Sequence, residues 1–268
     1  MVRPNFAGEK ATMLATLYGR ALDARSPKPV LGDEMAAEIV EKLDFDWNRT
    51  GIHGKDHVSI AVRARHLDNW TREFLDAHPE ATVLHLGCGL DSRVYRVDPG
   101  PGVRWFDVDY PEVIELRREL YPPRENCEMV ASSVTEPDWL DRVPADRPVL
   151  VVAEGLTMYL KEQDGEELFR RIVERFSGGQ FIFDALSRLG IKLQRRIGPV
   201  RAAGATLYWG IDSGAELEAG VPGVRCVTEL SALTPPGITL PPTLRLLVRG
   251  LRLVPLIRRV GHYYRLEF

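Results

Sequence analysis

Two glycines one residue apart, Gly87 and Gly89, close an apolar run within Val83–Arg93 (VLHLGCGLDSR). Asp109 stands 20 residues after Gly89, at the end of a second apolar run, Val103–Tyr110 (VRWFDVDY). A glycine turn leaving one strand and a carboxylate closing the next, at about this spacing, is how a βαβ unit holds a nucleoside. Glycines without Cβ atoms let backbone approach a ligand, and an aspartate accepts hydrogen bonds from both ribose hydroxyls. The same glycines would also serve a plain tight turn. Asp107, two residues before Asp109, faces the other side of its strand, where it touches ligand or holds a backbone or helix end.

The pattern Gly87-x-Gly89-x-x-Ser92 lacks the third glycine of a dinucleotide site, and no lysine follows in the position that a phosphate-binding NTPase loop requires. A ligand with a ribose and no phosphate remains, and S-adenosylmethionine is one. Glu154 directly follows the apolar run Val149–Ala153 (VLVVA), where burying an unpaired carboxylate is costly, so it reads as functional. Arg63 stands near Arg65 on a helical segment and serves either a ligand or a solvated face. Cys88 reads as a small spacer in the turn, and His85 as a packed strand residue. The six histidines have no metal-ligand spacing, so no metal is expected.

These residues need an alternating frame to bring them together. Helical periodicity runs over 9–25, 33–43 and 57–78, with a polar loop at Asp46–Asp56. Strands are expected at Thr82–Leu86, Val103–Val108, Asn126–Ala131, Val149–Ala153 and Gln180–Phe183. Helices are expected near Ser92–Arg96, at Glu112–Glu119 behind Pro111, and at Lys161–Phe176. Such alternation predicts a doubly wound α/β sheet. Beyond Asp184 the rhythm changes: Leu189–Val200 is basic and helical, residues 220–242 read as turns, and Leu244–Val260 reads as a core helix with arginines reaching to solvent. A membrane-surface helix is the other reading of that last stretch.

At 268 residues the chain is long enough for one large domain or for a domain with a lid. A net charge of −3 provides no electrostatic footprint for nucleic acid. Three cysteines without framework spacing suit a reducing compartment, and no apolar run reaches the roughly 18 residues of a membrane span. A cytoplasmic protein is expected.

Arg63–Arg93 (RARHLDNWTREFLDAHPEATVLHLGCGLDSR) resembles the leucine carboxyl methyltransferase family, especially its bacterial polyketide O-methyltransferase branch. Three further segments, WFDVDYPEVIELRREL (105–120), TEPDWLD (135–141) and VLVVAEGLTMYL (149–160), agree in order, and the resemblance runs from about residue 10 to about 185. It implies a class I S-adenosylmethionine-dependent methyltransferase, Rossmann-like, with a helical N-terminal cover (1–78), a cofactor-binding core (79–185) and a substrate-side C-terminal part (186–268). By the resemblance, Gly87 and Gly89 line the methionine part of the cofactor, Arg63 pairs with its carboxylate, and Asp109 grips the ribose. Glu154 faces the ammonium, and Tyr159 lies near the mouth. The family's usual aspartate at the adenine is replaced by Ser133-Val134; the serine hydroxyl can accept the adenine amino group's hydrogen bond and Val134 can pack on the ring.

The implied reaction is methyl transfer to a carboxyl or hydroxyl oxygen of a polyketide-like small molecule. A carboxylate acceptor needs no general base, whereas a hydroxyl benefits from one. Tyr208 and Trp209 are candidate walls for a ring-bearing acceptor, and Arg195, Arg196 and Arg201 candidate carboxylate partners; core aromatics and solvated arginines are the alternative. A homodimer is compatible with the sequence. The rival functions are a cofactor-binding, non-methylating member of the family and a nicotinamide-dependent oxidoreductase.

Overall fold

In the computed structural model, all residues are described except 1, 54, 55, 234, 235, 239–241 and 252. The chain opens with three helices, α1 (Glu9–Ala24), α2 (Glu34–Lys42) and α3 (Asp56–Ala77). There follow β1 (Thr82–Leu86), α4 (Arg93–Val97), β2 (Arg104–Asp109), α5 (Pro111–Leu120), β3 (Cys127–Ala131), α6 (Asp138–Asp141), β4 (Val149–Ala153), α7 (Glu162–Arg175) and β5 (Gly179–Leu186). The C-terminal third adds α8 (Arg188–Lys192), α9 (Gly198–Ala203), α10 (Gly214–Gly220), β6 (Arg225–Ser231), α11 (Pro242–Leu251), α12 (Pro255–Arg258) and β7 (Gly261–Glu267).

The strands form one sheet in the order β3-β2-β1-β4-β5-β7-β6, with β1 to β5 parallel and β7 antiparallel to both of its neighbours. Strand order reverses direction between β1 and β4, and a doubly wound sheet opens its ligand crevice there, outside the strands' C-terminal ends. β1 (TVLHL) and β4 (VLVVA) are buried along their whole length, which accounts for their near-continuous apolar sequence. Asp33 caps α2 by accepting from the Ala36 N–H at 3.1 Å, and Pro111 at the start of α5 gives up no helix hydrogen bond.

Each sheet face is covered by its own cluster. Phe169, Phe181, Phe183 and Trp209 pack on one side, and Leu67, Trp70, Phe74, Trp105 and Tyr263 on the other. A third cluster joins α1 and α2 to α5 through Met13, Leu14, Leu17, Ile39 and Leu116. Gly165 on α7 is dictated by packing, since a Cβ there would stand 2.1 Å from the Trp209 ring.

The C-terminal third departs from the sequence expectation. Both β6 and β7 lie where turns or no element were expected. β6 is a half-exposed edge strand with a bulge between Cys226 and Thr228, which erases period-two alternation. Leu189–Val200 is divided into α8, a 3₁₀ turn at Gln194–Arg196, and α9, rather than forming one helix. Leu244–Val260 does not become a core helix: Leu253, Val254 and Leu256 are 84%, 42% and 60% exposed. The stretch is divided into α11, which runs through Gly250 to Leu251, and α12, which Pro255 opens; Arg252 lies outside the described residues.

Candidate active site

The turn after β1 is held by the strand beside it. Gly87 N–H donates to the Val108 carbonyl at 2.9 Å, and Gly89 N–H to Asp109 Oδ2 at 2.7 Å. Gly87 has φ +60°, and a Cβ on it would meet Leu156 Cδ1 at 2.9 Å, so the position excludes side chains twice over. Asp109 accepts the Tyr110 N–H on its other oxygen at 2.7 Å. Each of its oxygens therefore keeps a second acceptor site for a ligand. Asp107 on the same strand faces away into a buried cluster, taking His85 Nδ1 at 2.8 Å, Trp105 Nε1 at 2.9 Å, and Arg117. Arg117 in turn donates to the Gly89 and Asp91 carbonyls, both at 2.8 Å. Asp107 thus shapes the turn from beneath through Arg117, and holds side chains where the sequence suggested a ligand, a backbone or a helix end.

A chain of buried ion pairs crosses the molecule from α1 to β5. Arg20 Nε lies 3.2 Å from Asp33, and Arg96 spans Asp33, Asp91 and Asp68 at 2.7–2.9 Å. Arg93 joins Asp68 at 2.7 Å to Glu154, and Arg63 joins Glu154 at 3.0 Å to Asp184 at 3.1 Å. Ser92, the residue standing where a dinucleotide site has glycine, donates its hydroxyl to Asp33 at 2.6 Å. Its side chain ties the turn to the N-terminal cover, so the missing glycine has a structural purpose.

Above this framework lies a cavity of about 520 Å³ at the C-terminal ends of the parallel strands. It is lined by all of Arg63, Gly87, Gly89, Asp109, Ser133, Val134, Glu154 and Tyr159, which reach it from α3, from the ends of β1 to β4 and from the 3₁₀ turn Thr157–Tyr159. Residues of α1 from Glu9 to Arg20 line one wall, and Ile197–Val200 with Leu207 an apolar one. Arg196 lines the cavity as well. Arg195, Arg201, Tyr208 and Trp209 are absent from its lining: Trp209 is core, and Tyr208 is 56% exposed elsewhere. Ser133 Oγ lies 2.8 Å from Thr135 Oγ1, and its hydroxyl also accepts the Thr135 N–H at 3.3 Å.

Charge in the cavity leans acidic, with Glu9, Asp56, Asp91, Asp109, Glu154 and Asp184 against Lys10, Arg20, Arg63 and Arg196. Burial works to raise the Glu154 carboxyl, but the Arg93 and Arg63 guanidinium groups outweigh it and hold it below the usual range. At Asp109 and Asp184 burial wins and both carboxyls sit above it, despite the N–H donors around Asp109 and Arg63 beside Asp184. Burial opposes ionisation of Asp107 too, yet Arg117 and His85 bring it down to about 2. Burial pushes the Cys88 thiol well up, so it is an inert spacer.

Among the lining residues that the sequence did not reveal are Asp184, His85 and Arg20. Asp184 ends the apolar run of β5 as Glu154 ends β4, and that parallel was available as a signal. His85, expected to be a plain packed residue, borders the cavity while its ring is held by Asp107. Arg20 gave no signal, because a lone arginine on an amphipathic helix looks like any solvated one.

The leucine carboxyl methyltransferase family model matches residues 12–173. The chain is 45% identical over 262 residues to the tetracenomycin polyketide synthesis O-methyltransferase TcmP of Streptomyces glaucescens, covering 97% of both chains. It is 38% identical to the S-adenosyl-L-methionine-dependent methyltransferase dpfgK of Gibberella zeae, over 81% of this chain and 80% of that one. Among solved structures, one from Thermobifida fusca superposes with a TM-score of 0.64 at 15% identity, over 97% of this chain and 94% of that one. The S-adenosylmethionine dependent methyltransferase of Mesorhizobium loti follows at 0.52 and 15% identity, over 75% of this chain and 98% of that one. At such identities the likeness is one of fold, the Rossmann-like α/β fold of class I methyltransferases.

Proposed function

This chain belongs to the leucine carboxyl methyltransferase family, and from that premise we propose that it transfers a methyl group from S-adenosylmethionine to a carboxyl or hydroxyl oxygen of a polyketide-like small molecule. The observation that carries the reading is the convergence of all eight expected residues on one acidic cavity at the strand switch point. S-adenosylmethionine is a cation overall, with a sulfonium and an ammonium against one carboxylate, and six carboxylates facing four cationic side chains suit it.

In this reading Asp109 grips the ribose hydroxyls through its free acceptor sites, and Ser133 and Val134 meet the adenine. Gly87 and Gly89 pass under the methionine chain, with Glu154 toward its ammonium and Arg63 toward its carboxylate, a planar group that suits a guanidinium. Tyr159 borders the mouth. The cofactor supplies an activated methyl group, so the protein's task is to exclude water and align the acceptor oxygen with the methyl carbon and sulfur. The acceptor lone pair forms the new C–O bond as the C–S bond breaks and the sulfur keeps the electron pair. A carboxylate acceptor releases no proton; a hydroxyl must lose one. The apolar wall of Ile197, Pro199, Val200 and Leu207 offers a face for a ring system, with Arg196 at its rim.

We take the chain to work as one domain, with residues 1–78 as cover and 186–268 as the substrate side, in the cytoplasm and without nucleic acid. A homodimer is compatible with this arrangement. Calorimetric titration with S-adenosylmethionine, S-adenosylhomocysteine and NADH tests the function. Micromolar binding of both adenosyl ligands, lost in Asp109→Ala and absent for NADH, is expected; a folded protein that binds neither overturns the reading.

A further inference from the structure

The chain's charge is unevenly distributed. Residues 185–211 and 230–260 together hold ten Lys and Arg and no Asp or Glu, leaving 25 Lys and Arg against 38 Asp and Glu elsewhere. Both stretches sit at one edge of the sheet. The first leaves the C-terminal end of β5 and forms the cavity wall at Ile197–Val200. The second joins β6 to β7, and β7 begins opposite that same end of β5, with Gly261 across from Leu186. Ser187 N–H donates to the Val260 carbonyl at 3.0 Å, which fastens the two together.

On this basic edge, Leu253 and Val254, between α11 and α12, and Leu256, in the first turn of α12, are exposed to solvent. Among the described residues only Tyr208 is another large apolar side chain so exposed. Arg249, Arg258 and Arg259 flank the three, are exposed, and make no ion pair among the described residues. Apolar side chains set among arginines are the composition of an element that lies in the interface of an anionic bilayer. A second copy seated symmetrically on this face would bring like charges together. A protein partner would need some 800 Å² of buried surface on this face, far more than three exposed apolar side chains supply.

We propose that the α11–α12 knuckle docks the protein onto an anionic lipid surface, with Leu253, Val254 and Leu256 entering the interface and the arginines meeting lipid phosphates. Docking there brings the mouth side of the cavity toward the bilayer, where apolar ring-bearing acceptors accumulate. No described helix is long and apolar enough to cross a membrane, so the attachment is peripheral and reversible.

The test is flotation of the full-length protein with vesicles of phosphatidylcholine alone and with added phosphatidylglycerol. Binding to the phosphatidylglycerol vesicles alone is expected, fading toward about 1 M salt, where the Debye length is about 3 Å. Each arginine near an anionic surface multiplies binding about fivefold, so R249E/R258E/R259E should weaken it about 100-fold. L253S/L256S should weaken it at least tenfold. Both variants should bind S-adenosylhomocysteine as the parent does and keep its circular dichroism, which separates lost docking from lost folding. Absence of vesicle binding by the parent, or equal binding by both variants, overturns the proposal. So does a parent dimer that the variants dissolve while no vesicle binds, which would assign the face to a second copy.

Discussion

Arg63 Nε donates to Glu154 Oε1 at 3.0 Å, while the other Glu154 oxygen is taken by Arg93 and the other arm of Arg63 reaches Asp184. Two residues that the family resemblance assigns to opposite ends of an amino acid are thus joined directly to each other. An incoming zwitterion need not break this pair to fit, because its ammonium and carboxylate can extend the same alternation of charge. The ion chain behind it, continuous back to Arg20, holds both groups at the cavity whether or not a ligand is there.

Glu154→Gln should therefore weaken S-adenosylmethionine about 10- to 100-fold, the worth of a charge-assisted hydrogen bond of about 1.5–3 kcal/mol. Methylthioadenosine, which has the nucleoside but no amino acid, should bind unchanged. Calorimetry with both ligands checks this, and an equal loss for both would move Glu154 away from the ammonium.

Asp109→Ala should weaken every adenosine-bearing ligand by a similar factor, methylthioadenosine included, because the ribose is common to them. An unaltered affinity for methylthioadenosine would remove Asp109 from the ribose site.

Arg93 is wholly buried between Asp68 and Glu154. Arg93→Met leaves both carboxylates short of a partner, which costs about 3–5 kcal/mol. A melt followed by circular dichroism should show Tm fall by about 10 °C. A shift of a degree or two would mean that the ion chain reorganises around the gap.

Burial, with Arg265 nearby, lowers His66 to about 4, and its ring packs between Trp70 and Tyr263. A histidine with a depressed folded pKa contributes stability that is whole above its unfolded value near 6.5 and is lost as pH falls toward 4. Tm should accordingly decline between pH 6.5 and 4, and His66→Gln should flatten that part of the curve. An unchanged pH profile in the variant would assign the decline to other groups.

Arg196 lines the cavity, is exposed and makes no ion pair among the described residues. Arg196→Gln should raise KM about tenfold for a carboxylated acceptor, leave kcat near its starting value, and leave S-adenosylhomocysteine affinity unchanged. No change in KM for any acceptor would show that the arginine is merely solvated.

The parallel half of the fold was legible because buried strands and amphipathic helices write their burial into consecutive residues. Thr82–Leu86 and Val149–Ala153 occur as expected, to the residue. β6 and β7 were not legible, since an edge strand with a bulge loses its alternation and β7 follows a proline-rich connection. The Leu244–Val260 stretch has the composition of a half-buried helix, and nothing local reveals that its leucines find no partner.

By itself the sequence determined that Gly87, Gly89 and Asp109 meet at one turn, because strand, glycine turn, carboxylate and spacing are all local along the chain. The tertiary structure alone decided the rest. Arg63 and Asp184 stand 121 residues apart, and Ser92 and Asp33 stand 59 apart, so neither partnership leaves a local trace. Each exists because a buried carboxylate cut off from water must find a cation or a hydrogen-bond donor in space, on whichever element the fold brings near.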